Sequence, residues 1–260
     1  VSARLDPPYA ALRHGAPLAV DERVTLDAGV AAGLRFRKVN VKEAFTLVDS
    51  TGRYFRAALE ALTVTEATAL VYEEMRVVPE SPAFVTLVCA VLQRQRMLWV
   101  AQKAAELGVA RIQPVFTLKS VQAEGLAHEK VHAWPGQALK GARQCRRASV
   151  PEVLPAVALD AVLSSERWHE ATVRVFLDDR ADEHGIDILT PHAQPEVMLV
   201  VGPEGGFAHV ERARLTAAGA SPLRLGGRVL RAETAVAAGL VVVQHRLGDM
   251  GSEAAEGRVR

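Results

Sequence analysis

Two glycine-rich stretches hold the residues best suited to seat a small molecule. The first, Val200-Val201-Gly202-Pro203-Glu204-Gly205-Gly206-Phe207, leaves an apolar strand and enters a helix. Glycine there admits positive φ and lets backbone amides approach a ligand closely. The second, Leu225-Gly226-Gly227-Arg228-Val229-Leu230-Arg231-Ala232-Glu233-Thr234-Ala235, also runs from a strand through a glycine loop into an apolar helix. The spacing of the first fits neither G-x-G-x-x-G nor G-x-x-x-x-G-K-[ST], so a dinucleotide fold or a phosphate loop is not supported. Two tight strand-to-helix turns with a structural Arg–Glu pair would use the same residues, and both readings stand at this point.

Basic residues cluster twice. Lys140, Arg143, Arg146 and Arg147 surround Gln144 and Cys145, with no acid from Gln137 to Val150. Such a cluster suits phosphate contacts, and equally a solvated helix C-terminus. Arg35, Arg37, Lys38 and Lys42 precede Arg53 and Arg56. The alternation Arg35-Phe36-Arg37 would set both arginines on one strand face, where a nucleic-acid backbone or plain solvent would meet them. His128-Glu129-Lys130-Val131-His132 matches H-E-x-x-H, but its flanks Gly125 and Pro135 do not suit the apolar helix a zinc protease needs. Asp178, Asp179, Asp182, Glu183, His184 and Asp187 read as a solvated acidic loop. No G-x-S-x-G elbow occurs, and no metal is expected.

The elements that must position these residues fall into two textures. In residues 1–78, short runs at Val24–Leu26, Ala44–Val48 and Tyr54–Leu59 predict a small β-rich domain, with a hairpin turned at Asp49-Ser50-Thr51-Gly52. Val77-Val78-Pro79-Glu80-Ser81-Pro82 reads as the linker. From residue 79 to 250, strands are expected at Phe84–Val91, Arg111–Phe116, Val173–Leu177, Val197–Val201 and Leu223–Leu225. Helices are expected at Gln93–Leu107, Val131–Arg147, Ala208–Ala218 and Glu233–Arg246. That alternation predicts a parallel α/β sheet covered on both faces, with ligands beyond the carboxyl ends of its strands. Residues 251–260 read as a polar tail.

The composition is that of a globular chain: 260 residues, 49% hydrophobic, 23% charged, net charge +1. Any polyanion site must therefore come from local clustering. The two cysteines, Cys89 and Cys145, form no framework, residues 1–8 hold no apolar leader, and no stretch is long enough to span a membrane. A cytoplasmic protein is expected.

The two glycine-rich motifs, with Met97-Leu98-Trp99-Val100-Ala101-Gln102-Lys103-Ala104-Ala105-Glu106-Leu107-Gly108, Gln144-Cys145-Arg146-Arg147 and Val150-Pro151-Glu152-Val153, resemble the RsmE family. These are SPOUT-class methyltransferases that methylate N3 of a uridine in 16S ribosomal RNA of the small subunit. The resemblance covers residues 84–246. It implies a trefoil-knotted α/β domain behind a PUA-like RNA-binding β-domain, S-adenosylmethionine as cofactor, the small ribosomal subunit as partner, and a homodimer. By the same resemblance Leu177, then Val201, Gly202, Gly205 and Gly206, then Leu225, Gly226, Val229, Leu230, Thr234 and Ala235 would border the cofactor. Arg231, Arg228 and Glu204 would serve the chemistry. Arg35, Arg37, Lys38, Arg143, Arg146 and Arg147 would meet RNA. The chain departs from the family pattern at Ala31-Ala32, Lys42-Glu43 and Phe176-Leu177-Asp178-Asp179. Another SPOUT enzyme acting on transfer RNA, or a non-catalytic RNA-binding protein on the same fold, are the rival readings.

Overall fold

Alternating buried residues build an antiparallel sheet in the first part of the chain. Its elements are β1 (Arg23–Leu26), α1 (Ala28–Phe36), β2 (Ala44–Val48), β3 (Tyr54–Leu62) and β4 (Ala67–Glu74), with strand order β1-β4-β3-β2. The structure is a computed structural model describing residues 5–181, 185–191 and 193–251. Leu26, Leu34, Leu47, Phe55, Leu59 and Val71 fill the core between the sheet and α1. The β2–β3 hairpin turns where expected. Asp49 closes it: its carboxylate accepts from the amides of Leu18, Thr51 and Arg53, from the Thr51 hydroxyl at 2.6 Å and from the Arg53 guanidinium at 3.0 Å. Burial alone would raise its pKa; these donors outweigh that and hold it at about 2.

Arg35-Phe36-Arg37 is not a strand. It ends α1, which Asp27 caps by accepting from the Val30 amide at 2.9 Å, and whose buried face is Val30, Ala31, Gly33 and Leu34. Three alternating residues fit a helix end as well as a strand, and the cap and apolar face upstream decide for the helix. Arg37 is buried, and its guanidinium donates to the carbonyls of Pro8, Ala10, Gly33 and Ala148. It is committed to holding backbone together. Burial lowers its pKa to about 10. Arg35 donates to the carbonyls of Thr63 and Val64, while Lys38 is exposed with φ +53°.

The chain divides into two units. Residues 5–80 group with Ala142–Val150, whereas Ser81–Gly141 and residues 151–251 form the second unit. The expected division at 78/79 thus falls at 80/81, and Ala142–Val150, expected in the second domain, belongs with the first. Ion pairs explain that membership. The Arg147 side chain, 5% exposed, pairs with Glu80 at 2.9 Å, and Ser149 donates to the same carboxylate. Burial would raise the Glu80 carboxyl, but Arg147 and Ser149 hold it below the usual carboxylate range. Arg143 reaches Glu43 at 2.8 Å, and exposed Arg146 lies 3.9 Å from Glu73. Three acids distant in sequence therefore engage the cluster that has none of its own, and Arg147 is withdrawn from any surface role.

In the second unit, β5 (Phe84–Ala90), α2 (Arg94–Glu106) and β6 (Arg111–Phe116) follow in order, then α3 (Trp134–Gln144), whose last turn counts with the first unit. Short pieces β7 (Glu152–Val153), β8 (Val157–Ala158), α4 (Leu159–Leu163) and α5 (Glu166–Glu170) come next, and no periodicity in the sequence had marked them. The chain continues through β9 (Val173–Leu177), β10 (Glu196–Val201), α6 (His209–Ala217), β11 (Ser221–Leu223) and α7 (Ala232–Leu247). The expected strand at Leu223–Leu225 is shifted, because Ser221, Pro222 and Leu223 pair with Val175, Phe176 and Leu177. All pairings are parallel, in the order β11-β9-β10-β5-β6-β7 with β8 also on β6.

Both faces of this sheet are covered, as expected. Val197, Leu199 and Val201 point into one core with Met97, Val100, Val236 and Leu240 of α2 and α7. Met198 and Val200 point into the other, with Trp168, Phe207 and Leu215. Each such buried side chain contributes about 1.5–3 kcal/mol. Among the described residues no helix is long and apolar enough to cross a membrane. His128 and His132 lie in turns and a short 3-10 segment rather than on a helix face.

Asp49 should make the stability of the first unit acid-sensitive. A carboxyl with a lowered folded pKa stabilises fully above its unfolded value, and that stabilisation is lost as pH falls from about 4 towards about 2. Thermal melts across that range should show the loss in the parent chain, and a flatter profile in Asp49→Asn. Parallel profiles would contradict the role given to Asp49.

Candidate active site

Because β9, β10 and β11 run parallel, their carboxyl ends lie on one edge of the sheet, and three loops leave from it. The loops are 178–181, Gly202–Phe207 and 224–231. Together they enclose a cleft of about 270 Å³. Leu177, Val201, Leu223, Leu225, Leu230 and Ala235 give it apolar walls, and Gly202, Gly205, Gly206 and Gly226 bring backbone to its surface. Val229, 80% exposed, stands at its rim. Three acids, Asp178, Asp179 and Glu204, and three arginines, Arg180, Arg212 and Arg228, complete the lining.

The Gly202–Phe207 turn is braced on several sides. Gly206 has φ +64°, a region that costs a side-chain-bearing residue about 1–2 kcal/mol, and its amide donates to the Pro203 carbonyl at 2.8 Å. A Cβ on Gly202 would meet the Phe207 ring at 3.1–3.3 Å. That ring is buried edge-on against Phe176. Lys119 donates to the Gly205 carbonyl at 2.8 Å. Buried Glu211 accepts from the amides of Leu118 and Ala208, each at 2.8 Å, tying the start of α6 to the loop after β6. On the facing loop, the Asp178 amide donates to the Leu223 carbonyl at 3.1 Å and its carboxylate lies 3.8 Å from Arg212.

The sequence had left one residue of this region unmarked. Arg96, in the first turn of α2, is hydrogen-bonded and ion-paired to Glu204 and lies 3.6 Å from Glu233. Its signal was available: α2 opens with Arg94 and Arg96 and has no acid in its first turn, where the helix dipole disfavours cations. Glu233, for which a pair within its own stretch was one of two readings, pairs with Arg96 instead. Arg231 is exposed and occupies the N-cap position of α7, and neither it nor exposed Thr234 lines the cleft. Every other residue expected at the cofactor, together with Arg228 and Glu204, does line it. Cys89 lies beneath the site; burial first, and the charge of Glu204 second, push its thiol up to about 12, so it offers no thiolate. Among the described residues no three His, Cys, Asp or Glu side chains come together as a metal site. Asp182, Glu183 and His184 of the acidic loop lie outside the described residues.

Residues 79–244 match the model of the RNA methyltransferase domain family. The ribosomal RNA small subunit methyltransferase E of Mycobacterium bovis is 34% identical over 217 residues, covering 80% of each chain. The chain belongs to the ribosomal RNA small subunit methyltransferase E family. The Neisseria gonorrhoeae member, solved with S-adenosyl methionine bound, is 28% identical, covers 93% of this chain and 100% of its own, and superposes with a TM-score of 0.66. A Legionella pneumophila protein solved with the same cofactor is 29% identical, covers 92% of this chain and 98% of its own, with a TM-score of 0.64.

S-adenosylmethionine is the cofactor of this family, and the cleft suits it. Apolar walls and close backbone fit an adenine, and a lining balanced between three acids and three arginines fits a ligand bearing both signs of charge. Gly202→Val should weaken the affinity for S-adenosylmethionine by about tenfold, because the new side chain crowds the buried Phe207 ring, which must shift to admit it. Calorimetric titration checks this; unchanged affinity in a folded variant would remove the turn from the cofactor site.

Proposed function

We propose that this methyltransferase places a methyl group on N3 of a uridine in 16S ribosomal RNA, in the cytoplasm and on the small ribosomal subunit. The observation that carries this reading is the three-loop cleft in a chain of the methyltransferase E family. Bound S-adenosylmethionine supplies a sulfonium-activated methyl. The chain's own residues must then deliver the base and manage its proton.

Uracil N3 is nucleophilic only after its proton has left, so a cation beside the base carbonyls would favour the imide anion. Arg228, on the cleft, and Arg231, one helix cap away, are the candidates. Glu204 and Glu233 are the carboxylates that would accept the proton or orient an arginine, and the bond of Glu204 to Arg96 favours orientation for Glu204. The target base must be unpaired or splayed out, since N3 is hidden in paired RNA.

The β-rich unit is proposed as a PUA-like RNA-binding domain, and the methyltransferase unit as a trefoil-knotted SPOUT domain. The phosphate contacts fall to Arg35, Lys38, Arg143 and Arg146. Arg37, which is buried, and Arg147, whose side chain is 5% exposed on Glu80, serve instead to hold that surface in shape. A homodimer is proposed because α7 leaves an apolar face open: exposed Val241 and Ile186 accompany a hollow lined by Ala238, Val242 and Leu225. A second copy would cover it.

Methyl transfer to purified small subunits and to naked 16S RNA, with the product nucleoside identified by mass spectrometry, tests the reading. N3-methyluridine is expected. A methylated ribose or purine, or methylation of transfer RNA alone, would overturn it. Arg231→Ala should lower turnover by about a hundredfold while changing cofactor affinity little. Unchanged turnover at saturating RNA would remove Arg231 from the chemistry.

A further inference from the structure

Arg96 sits where elementary electrostatics would not place it. It lies in the first turn of α2, beside Arg94, and no acid of that turn offsets the positive end of the helix dipole. Its carboxylate partners come from two other segments. Glu204 belongs to the turn between β10 and α6, 108 residues away in sequence. Glu233 belongs to the first turn of α7, just after the third loop of the cleft. One guanidinium therefore joins three segments that the chain itself leaves unconnected. Two of them, the Gly202–Phe207 turn and the start of α7, border the cleft.

The pairing is mutual in its need. Glu204 and Glu233 both point at Arg96, and without it their like charges would face each other across the gap between turn and helix. Among the described residues the Glu233 Oε2 atom is buried with no hydrogen-bond donor, and the Arg96 guanidinium at 3.6 Å is the cation that offsets it. A planar guanidinium presents donors on two edges and can hold two carboxylates at once, which an ammonium does less well. The hydrogen bond from Arg96 to Glu204, first among the causes, raises the arginine further above its ordinary pKa, so the link stays charged.

We propose that Arg96 is a positioning residue for the cofactor cleft, fixing the glycine turn through Glu204 and the start of α7 through Glu233 before S-adenosylmethionine binds. Arg96 lies outside the cleft lining, so it acts on the cofactor through these two carboxylates. The inference rests on the cleft being the cofactor site. It assigns Glu204 to cleft geometry rather than to the proton of the base.

The test is a double-mutant cycle in the full-length protein, read by calorimetric titration with S-adenosylmethionine. Arg96→Gln and Glu204→Gln should each weaken affinity, Arg96→Gln by about tenfold, and the double variant should be no weaker than Arg96→Gln alone. Arg96→Lys should recover part of the loss. In Arg96→Gln, turnover at saturating cofactor and the KM for RNA should stay near those of the parent chain, which a general loss of folding would not allow. Parent-like affinity in a folded Arg96→Gln, or losses that multiply in the double variant, would overturn the proposal. If the parent chain itself bound no S-adenosylmethionine, the cofactor reading of the cleft would be the part that failed.

Discussion

The parallel register of β9, β10 and β11 is the constraint on which the rest of the site depends. Val197 and Leu199 pair with Val173 and Val175, and Ser221 to Leu223 pair with Val175 to Leu177. That register levels the three carboxyl ends, so the loops after them converge instead of being spread along the sheet. It also requires each central strand to be apolar on both faces, which Val197 to Val201 satisfy. A sheet with these strands antiparallel would send alternate loops to opposite edges and leave no cleft.

Charge then fixes what the sheet only brings near. Arg96 joins Glu204 to Glu233, Glu211 holds the entry to α6, and Arg212 faces Asp178. In the β-rich unit the same logic works against a simple reading of basic residues as RNA contacts. Arg37 holds backbone carbonyls and Arg147 holds Glu80, so two of the six cations expected to meet RNA are interior struts. The positive charge available at that surface is smaller than the sequence indicates, in keeping with the near-neutral whole chain.

The sequence was most legible where one strong local pattern decided the outcome. Arg111–Phe116 and Val173–Leu177 have the expected bounds, the second because its largely apolar run ends at Asp178, and α2 was legible from the spacing of Met97, Val100, Ala101 and Ala104 with Gly108 just past its end. The glycine stretches were legible as cleft-forming because their residues are local to each loop. What was lost depended on distance along the chain. Arg96–Glu204 and Arg147–Glu80 span 108 and 67 residues, and nothing in either local segment names its partner. Arg35-Phe36-Arg37 was misread because three residues cannot distinguish the two periodicities, and the deciding cap at Asp27 lies upstream. The pieces from Glu152 to Glu170 are too short for any periodic signal.

A crystal structure of this chain with S-adenosylmethionine would decide whether the three-loop cleft is the cofactor site. The cofactor is expected between the Gly202–Phe207 turn and the 224–231 loop, its adenine against Leu177, Leu225 and Ala235, with the Arg96–Glu204 pair intact. Cofactor density at any other place, or a cleft closed over by its own side chains in the presence of excess cofactor, would contradict that placement.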